Sequence, residues 1–405
     1  MKKTNGAMKF LIILPVLLFV VLAGWIGGTE WKQRQETKET VSKAAGDTNS
    51  SSVTQRDTRS AREESSSQEI MTVTEDTKES KESSTNQEKN PVVHLLFAGD
   101  ILLSTHVTTA YDKNGGINGV LDEGMRGEIS KADIFMANQE FPFSNRGSAA
   151  PDKQFTFRLN PDRVSMMNEI GVDIVTIANN HTLDYGTDAL LDTCTALDGA
   201  GIRYVGAGPD MNRAKQLETM EVNGKTFGFL AASRVYPDPN WVANSKKPGM
   251  VSGYDPTILL EEIRKARSIC DYVVVYVHWG IEREEKPKEY QRQLGQQLID
   301  AGADLVVGSH PHVLQGVEYY KGKPICYSLG NFIFGSSIPK TALMRADVNF
   351  EDNTTTLSLV PGTSGAGFTK TLAKPEEVNG FYQYFQNLSF GITIDDNGVI
   401  HNNGN

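Results

Sequence analysis

The feature that most constrains this chain is a unit that recurs along it. Each copy has a helical stretch, a turn, an acidic residue, a run of consecutive apolar residues, and then a polar side chain able to bind a metal. The plainest copy reads Ala303-Asp304-Leu305-Val306-Val307-Gly308-Ser309-His310-Pro311-His312. Ahead of it, Tyr290, Leu294, Leu298 and Ala301 recur at helical spacing, and Gly302 supplies the stop. Consecutive rather than alternating apolar residues predict a strand covered on both faces. His310 and His312 therefore stand where a strand runs out, and Pro311 stiffens the turn between them. In an open α/β sheet that is the crevice where ligands bind.

Further copies follow the same plan. The run 92–98 ends in Gly99-Asp100, with His94 read as a core or edge histidine. A helix over 120–131 leads to a strand over 133–137 and then Asn138-Gln139-Glu140. A helix over 161–170, stopped by Gly171, leads to a strand over 172–178 and Asn179-Asn180-His181; the next helix is 188–197. A hairpin over 220–229 turns at Asn223-Gly224. Asp255 reads as an N-cap and Pro256 as the first helical residue, with Leu259, Ile263, Ala266 and Ile269 as the buried stripe. The strand over 271–277 then ends in His278-Trp279-Gly280, and that over 324–329 in Gly330-Asn331. Strands over 342–350 and 354–360 and a helix over 376–386 are expected to complete a second sheet and carry no chemistry. If the strands share one orientation, Asp100, Asn138, Glu140, Asn180, His181, His278, His310 and His312 converge on one rim.

The first ninety residues belong to neither repeat nor core. Lys2, Lys3 and Lys9 precede an apolar run over 10–28 broken by Pro15. Residues 1–31 therefore read as an uncleaved membrane signal-anchor, single-pass, placing residues 91–405 outside the cytoplasm. Residues 32–90, rich in Ser, Thr, Glu and Lys, read as a disordered stalk. The net charge of −10 argues against a nucleic-acid partner. Cys194, Cys270 and Cys326 read as buried thiols, and no thiolate zinc motif occurs.

Carboxylate, carboxamide and imidazole without thiolate suit Mn, Zn or Fe. Two such ions close together would clamp an oxyanion, and a histidine beside them could donate a proton. Arg158 could grip a carboxylate or phosphate. Asp184 could orient a histidine, and Asn331 either caps a turn or orients a ligand.

The series Gly99-Asp100, Asn138-Gln139-Glu140, Asn179-Asn180-His181 with Asp184-Tyr185-Gly186, His278-Trp279-Gly280, Gly308-Ser309-His310-Pro311-His312 and Ser328-Leu329-Gly330-Asn331-Phe332 closely resembles the CapA family. These are capsule-synthesis proteins, also called PgsA, associated with poly-γ-glutamate. That family is similar to calcineurin-like metallophosphatases, which implies an αββα sandwich with one or two divalent ions. By resemblance Asp100, Asn180, His278, His310 and His312 would be metal ligands, Glu140 the bridging carboxylate and His181 the proton donor. The implied partners are a membrane polymer synthase or export complex and an anionic polymer or phosphate-containing substrate. Two departures stand out: Leu102 occupies a position where those phosphatases carry histidine, and Asn138-Gln139-Glu140 replaces their bridging aspartate motif. The departures imply that one site is weaker or that only one metal binds.

Overall fold

A computed structural model describes residues 91–365 and 367–404. The expected signal-anchor and stalk lie outside those residues. Among the described residues, no helix is long and apolar enough to cross a membrane.

The principal strands are β1 (Val92–Ile101), β2 (Ile134–Gln139), β3 (Ile174–Thr176), β4 (Arg203–Val205), β5 (Glu218–Val222), β6 (Lys225–Ser233), β7 (Tyr272–His278), β8 (Leu305–Ser309), β9 (Leu314–Tyr320), β10 (Lys323–Leu329), β11 (Ile338–Asn349) and β12 (Thr354–Gly365). The principal helices are α1 (Thr105–Lys113), α2 (Glu123–Ile129), α3 (Ser165–Ile170), α4 (Gly186–Ala200), α5 (Thr257–Arg267), α6 (Glu289–Ala301) and α7 (Pro375–Leu388). One sheet runs β12-β11-β1-β2-β3-β4, with β1 to β4 parallel and β11 and β12 antiparallel. The other runs β9-β10-β8-β7-β6-β5, with β6, β7, β8 and β10 parallel.

The strands are apolar on both faces because both faces are covered. Leu95, Phe97, Ile134 and Met136 of the first sheet meet Phe229, Val274, Tyr276 and Val307 of the second. On the outer face of the first sheet, Leu96, Phe135 and Val175 pack under Met125, Met167 and Leu190 of α2 to α4. Outside the second sheet, Val273, Val275 and Val306 pack under Leu259, Ile263, Leu294 and Leu298 of α5 and α6. The layers are thus helices, sheet, sheet, helices, and each fully buried Val or Leu contributes about 1.5–3 kcal/mol.

Four details differ from the sequence reading. The C-terminal strands β11 and β12 join the first sheet, because β11 pairs antiparallel with the start of β1. The helix over 161–170 opens as a 3₁₀ turn, Pro161–Arg163, before α3. Pro256 rather than Asp255 is the backbone N-cap of α5, although the Asp255 carboxylate accepts from the Thr257 N–H at 3.1 Å and so caps the helix from one residue further out. Ile269 lies beyond the end of α5 and is 67% exposed. The hairpin at Asn223-Gly224 forms as expected, both residues having positive φ. All three cysteines are buried and free.

Close approach at the strand ends depends on glycine. A Cβ on Gly99 would lie 1.8 Å from the carbonyl oxygen of Gly330, which accepts from the Asp100 N–H at 2.7 Å. Only a residue without a side chain lets the segment Asn331–Ile333 pair with the top of β1.

Candidate metal centre

The strand-end residues come from two sheets, not one. Asp100, Asn138 and Glu140 end β1 and β2, and Asn180 and His181 lie in the turn after β3. His278 ends β7, and His310 and His312 follow β8. Because the sheets pack face to face with these ends together, the residues still meet. Glu140, His278 and His310 offer one ligand atom each, all within 4.8 Å of one another, and so do Asp100, Glu140 and His312. Glu140 belongs to both groups. The Asn180 Oδ1 lies 2.8 Å from the Nε2 of His278, beside the first group.

The surroundings fix each side chain. Asn138 donates to Asp100 at 2.7 Å and accepts from the Asn179 amide at 3.0 Å. The Nδ1 of His278 is 3.1 Å from the Ser309 hydroxyl. Asn331 Oδ1 is 2.7 Å from the Nδ1 of His312. His310 and His312 both have positive φ, 99° and 57°, sparsely populated for residues with a Cβ. Their ring centroids lie 5.8 Å apart.

His181 stands outside both groups. Its Nδ1 is 2.6 Å from the buried Asp184 carboxylate, and its ring lies 4.4 Å from that of Phe157. The Asn179 side chain accepts from its backbone N–H. Arg158 is exposed over the Tyr185 ring and donates to the Arg146 carbonyl. Its recorded contacts are with neither metal group.

The family model of bacterial capsule synthesis proteins matches residues 94–336. The capsule biosynthesis protein CapA of Bacillus anthracis is 31% identical over 308 residues, covering 73% of this chain and 73% of the relative. This chain belongs to the CapA family. The PGA biosynthesis protein CapA of Bacillus subtilis is 32% identical over 252 residues, 62% of this chain and 65% of that relative. Among solved structures, the NAD nucleotidase of Haemophilus influenzae aligns with a TM-score of 0.42 at 12% identity, over 76% of this chain and 57% of that one. A likeness that slight carries no inference about activity.

The electrostatics of this CapA-family centre suit a cation. Burial pushes the Glu140 carboxyl well above the usual range, and the neighbouring Asp100 charge pushes it the same way. Burial raises Asp100 too, against the pull of His312 and the Asn138 hydrogen bond. Burial drives His278 far below the usual imidazole value and His310 down to about 3. Both Glu140 oxygens and the His310 Nδ1 are buried with no hydrogen-bond partner. A carboxylate and an imidazole nitrogen left without hydrogen-bond partners in one buried cluster are what a divalent ion would satisfy.

One side chain here carries no sequence signal. Lys153 comes from a polar loop, and its Nζ contacts the Asp184 carboxylate and the Asn180 carbonyl and lies 2.9 Å from the His181 Nδ1. Burial lowers its pKa, opposed by Asp184. Asn179, inside the motif Asn179-Asn180-His181, also has a role its sequence does not signal: its amide ties β3's turn to Asn138 and to the Gln139 carbonyl.

The depressed histidines give the metal-stripped protein a pH signature. The unfolded chain takes up a proton near pH 6.5, whereas folded His310 resists it until about 3. The stabilising contribution is therefore full above 6.5 and is lost as pH falls toward 3, by about 1.4 kcal/mol per pH unit for one such group. Asp100 and Glu140, being raised, act in the opposite sense, so a variant isolates the histidine. Denaturant titrations of metal-stripped protein between pH 6.5 and 4 should show a shallower acid loss in His310→Asn than in wild type. Identical slopes would contradict the burial argument.

Proposed function

We propose that this CapA-family chain is membrane-anchored by its N-terminal apolar run. Its globular part acts outside the cytoplasm in the synthesis, export or attachment of an anionic capsule polymer of the poly-γ-glutamate type. It would do so with a metal-dependent hydrolase or transferase centre on a metallophosphatase-like αββα frame. The observation that carries this reading is the pair of ligand groups sharing Glu140, whose two oxygens have no other partner.

Asp100, Glu140, Asn180, His278, His310 and His312 would hold one or two divalent ions, Mn, Zn or Fe. When bound, these supply Lewis-acid polarisation of an acyl or phosphoryl oxygen. His181, held by Asp184, would give a proton to the leaving group. Arg158 is offered as a contact for a carboxylate or phosphate further along the substrate, and a membrane polymer synthase or export complex as the partner.

The test is joint metal analysis and polymer production. Purified protein should hold up to two transition-metal ions per chain, by the two-metal analogy. Cells carrying a His310→Ala, His312→Ala double variant should lose polymer along with the metal. Background metal in wild type after Mn or Zn reconstitution would sink the ligand set. Full polymer output from the metal-free double variant would leave a non-catalytic scaffold, and metal-dependent release of phosphate from phosphoesters would point to a phosphoesterase instead.

A further inference from the structure

Beside the candidate metal centre, at the end of β6, stands an arginine that no carboxylate neutralises among the described residues. Arg234 directly follows Ser233, the β6 residue in register with His278, and its N–H donates to the His278 carbonyl at 2.8 Å. Its guanidinium lies 4.0 Å from the Tyr290 ring centroid and 5.2 Å from that of Tyr254. Among the described residues no ion pair or side-chain hydrogen bond engages it. Among the described residues three other arginines stack on a ring: Arg213 and Arg292 are also salt-bridged, and Arg158 donates to a backbone carbonyl, so Arg234 is the one with neither.

The two tyrosines are themselves held. Tyr290 is the second residue of α6 and is partly buried. Tyr254 packs edge-on against Tyr236 with ring centroids 5.1 Å apart, and the Tyr236 hydroxyl is 2.9 Å from that of Ser252. The Gly253 N–H donates to the Ser233 carbonyl, and a Cβ on Gly253 would come 3.2 Å from the Cβ of Arg234. The backbone carrying Tyr254 can thus lie directly against Arg234. Tyr254 remains 57% exposed, so the stack faces solvent.

A guanidinium stacked on aromatic faces keeps its edge N–H groups free and pointed in a fixed plane, which suits two-pronged recognition of an oxyanion. We propose that Arg234, with Tyr254 and Tyr290, forms an anion subsite one strand over from His278, which takes a carboxylate of the polymer whose reacting bond lies at the metal centre. The choice of carboxylate rests on the proposed function; the anion site itself does not. A repeating polyacid bound at His278 and His310 could present a neighbouring charge to Arg234, which follows the β6 residue paired with His278. Tyrosine faces also suit the methylene segments between the charges of such a chain.

The test is binding of a labelled short γ-linked oligoglutamate to the purified full-length protein, followed by fluorescence anisotropy, with the matching neutral oligoglutamine and inorganic polyphosphate as comparison probes. Arg234→Met should weaken oligoglutamate binding about tenfold to a hundredfold, the range for a charged hydrogen-bonded contact, and should not alter the weak binding of oligoglutamine. Tyr254→Ala, an exposed change that leaves the fold intact, should weaken it about threefold to tenfold. Arg234→Lys should not restore affinity, because lysine keeps the charge and loses the fork. Full rescue by lysine would overturn the stacked geometry. Equal oligoglutamate binding by wild type and Arg234→Met would overturn the subsite while leaving the proposed function standing. Arg234-dependent binding of polyphosphate without any of oligoglutamate would keep the anion site and overturn the polymer reading. Binding of neither polyanion by wild type would overturn the subsite.

Discussion

His181→Ala protein is expected to keep its fold and its metal and to lose activity about 10²–10⁴-fold, the usual cost of removing a general acid. The separation follows from geometry. His181 contributes to neither ligand group, whereas Asn180, one residue earlier, places its Oδ1 2.8 Å from His278. Asp184 holds the Nδ1 of His181, Phe157 covers the ring, and the Asn179 side chain holds its backbone. All three leave the Nε2 edge as the free one. Asn180→Ala should lose metal and activity together. Activity is read as polymer production, or as turnover once a substrate is in hand. A His181→Ala protein that loses its metal would make this histidine a ligand, and one with full activity would return it to a packing role.

Glu140→Gln should empty both ligand groups at once. The substitution keeps size and shape, so the strand end after β2 is undisturbed, but it removes the charge that both groups share. Loss of a side chain that merely orients a ligand costs about 10–100-fold in metal affinity, and loss of a shared carboxylate should cost at least that at each position. His312→Ala is the control: it belongs only to the group with Asp100 and should spare the ion held by Glu140, His278 and His310. Competition with a chelator of known affinity, followed by elemental analysis, reads both variants. A Glu140→Gln protein that retains two ions would refute the bridging role, and equal losses in the two variants would mean a single ion.

The parts of this protein that were legible in its sequence are those set by local pattern. The runs that became β7 and β8 announce themselves because a strand covered on both faces has no polar face to alternate with. The polar residue that follows each run is then conspicuous, and Asp100, Glu140, His278, His310 and His312 were found that way. Long-range choices were not legible. Which sheet a strand joins depends on a distant partner: β11 pairs with β1, and no periodicity encodes that choice. For the same reason one rim was expected where two sheets supply it. Ile269 continued a helical stripe on paper, but α5 stops at Arg267, so the residue falls off the buried face. Lys153 was illegible for a third reason. It sits in a loop of ordinary polar composition, and only the path of that loop, with Asp152 at a positive φ of 57°, brings it to Asp184.

The division of the candidate metal centre between two sheets reaches beyond chemistry. Asp100 and His310 are 210 residues apart along the chain, and their groups meet only across the seam between the sheets. An ion held by Glu140 and His278 would act as a removable rivet through that seam, closing long loops much as a covalent cross-link does. Binding that favours the folded state over the unfolded one raises stability with the supply of the ligand. If the chain acts outside the cytoplasm, as proposed, where proteases act on whatever opens, the concentration of free metal would then set how long each molecule survives as well as how fast it works.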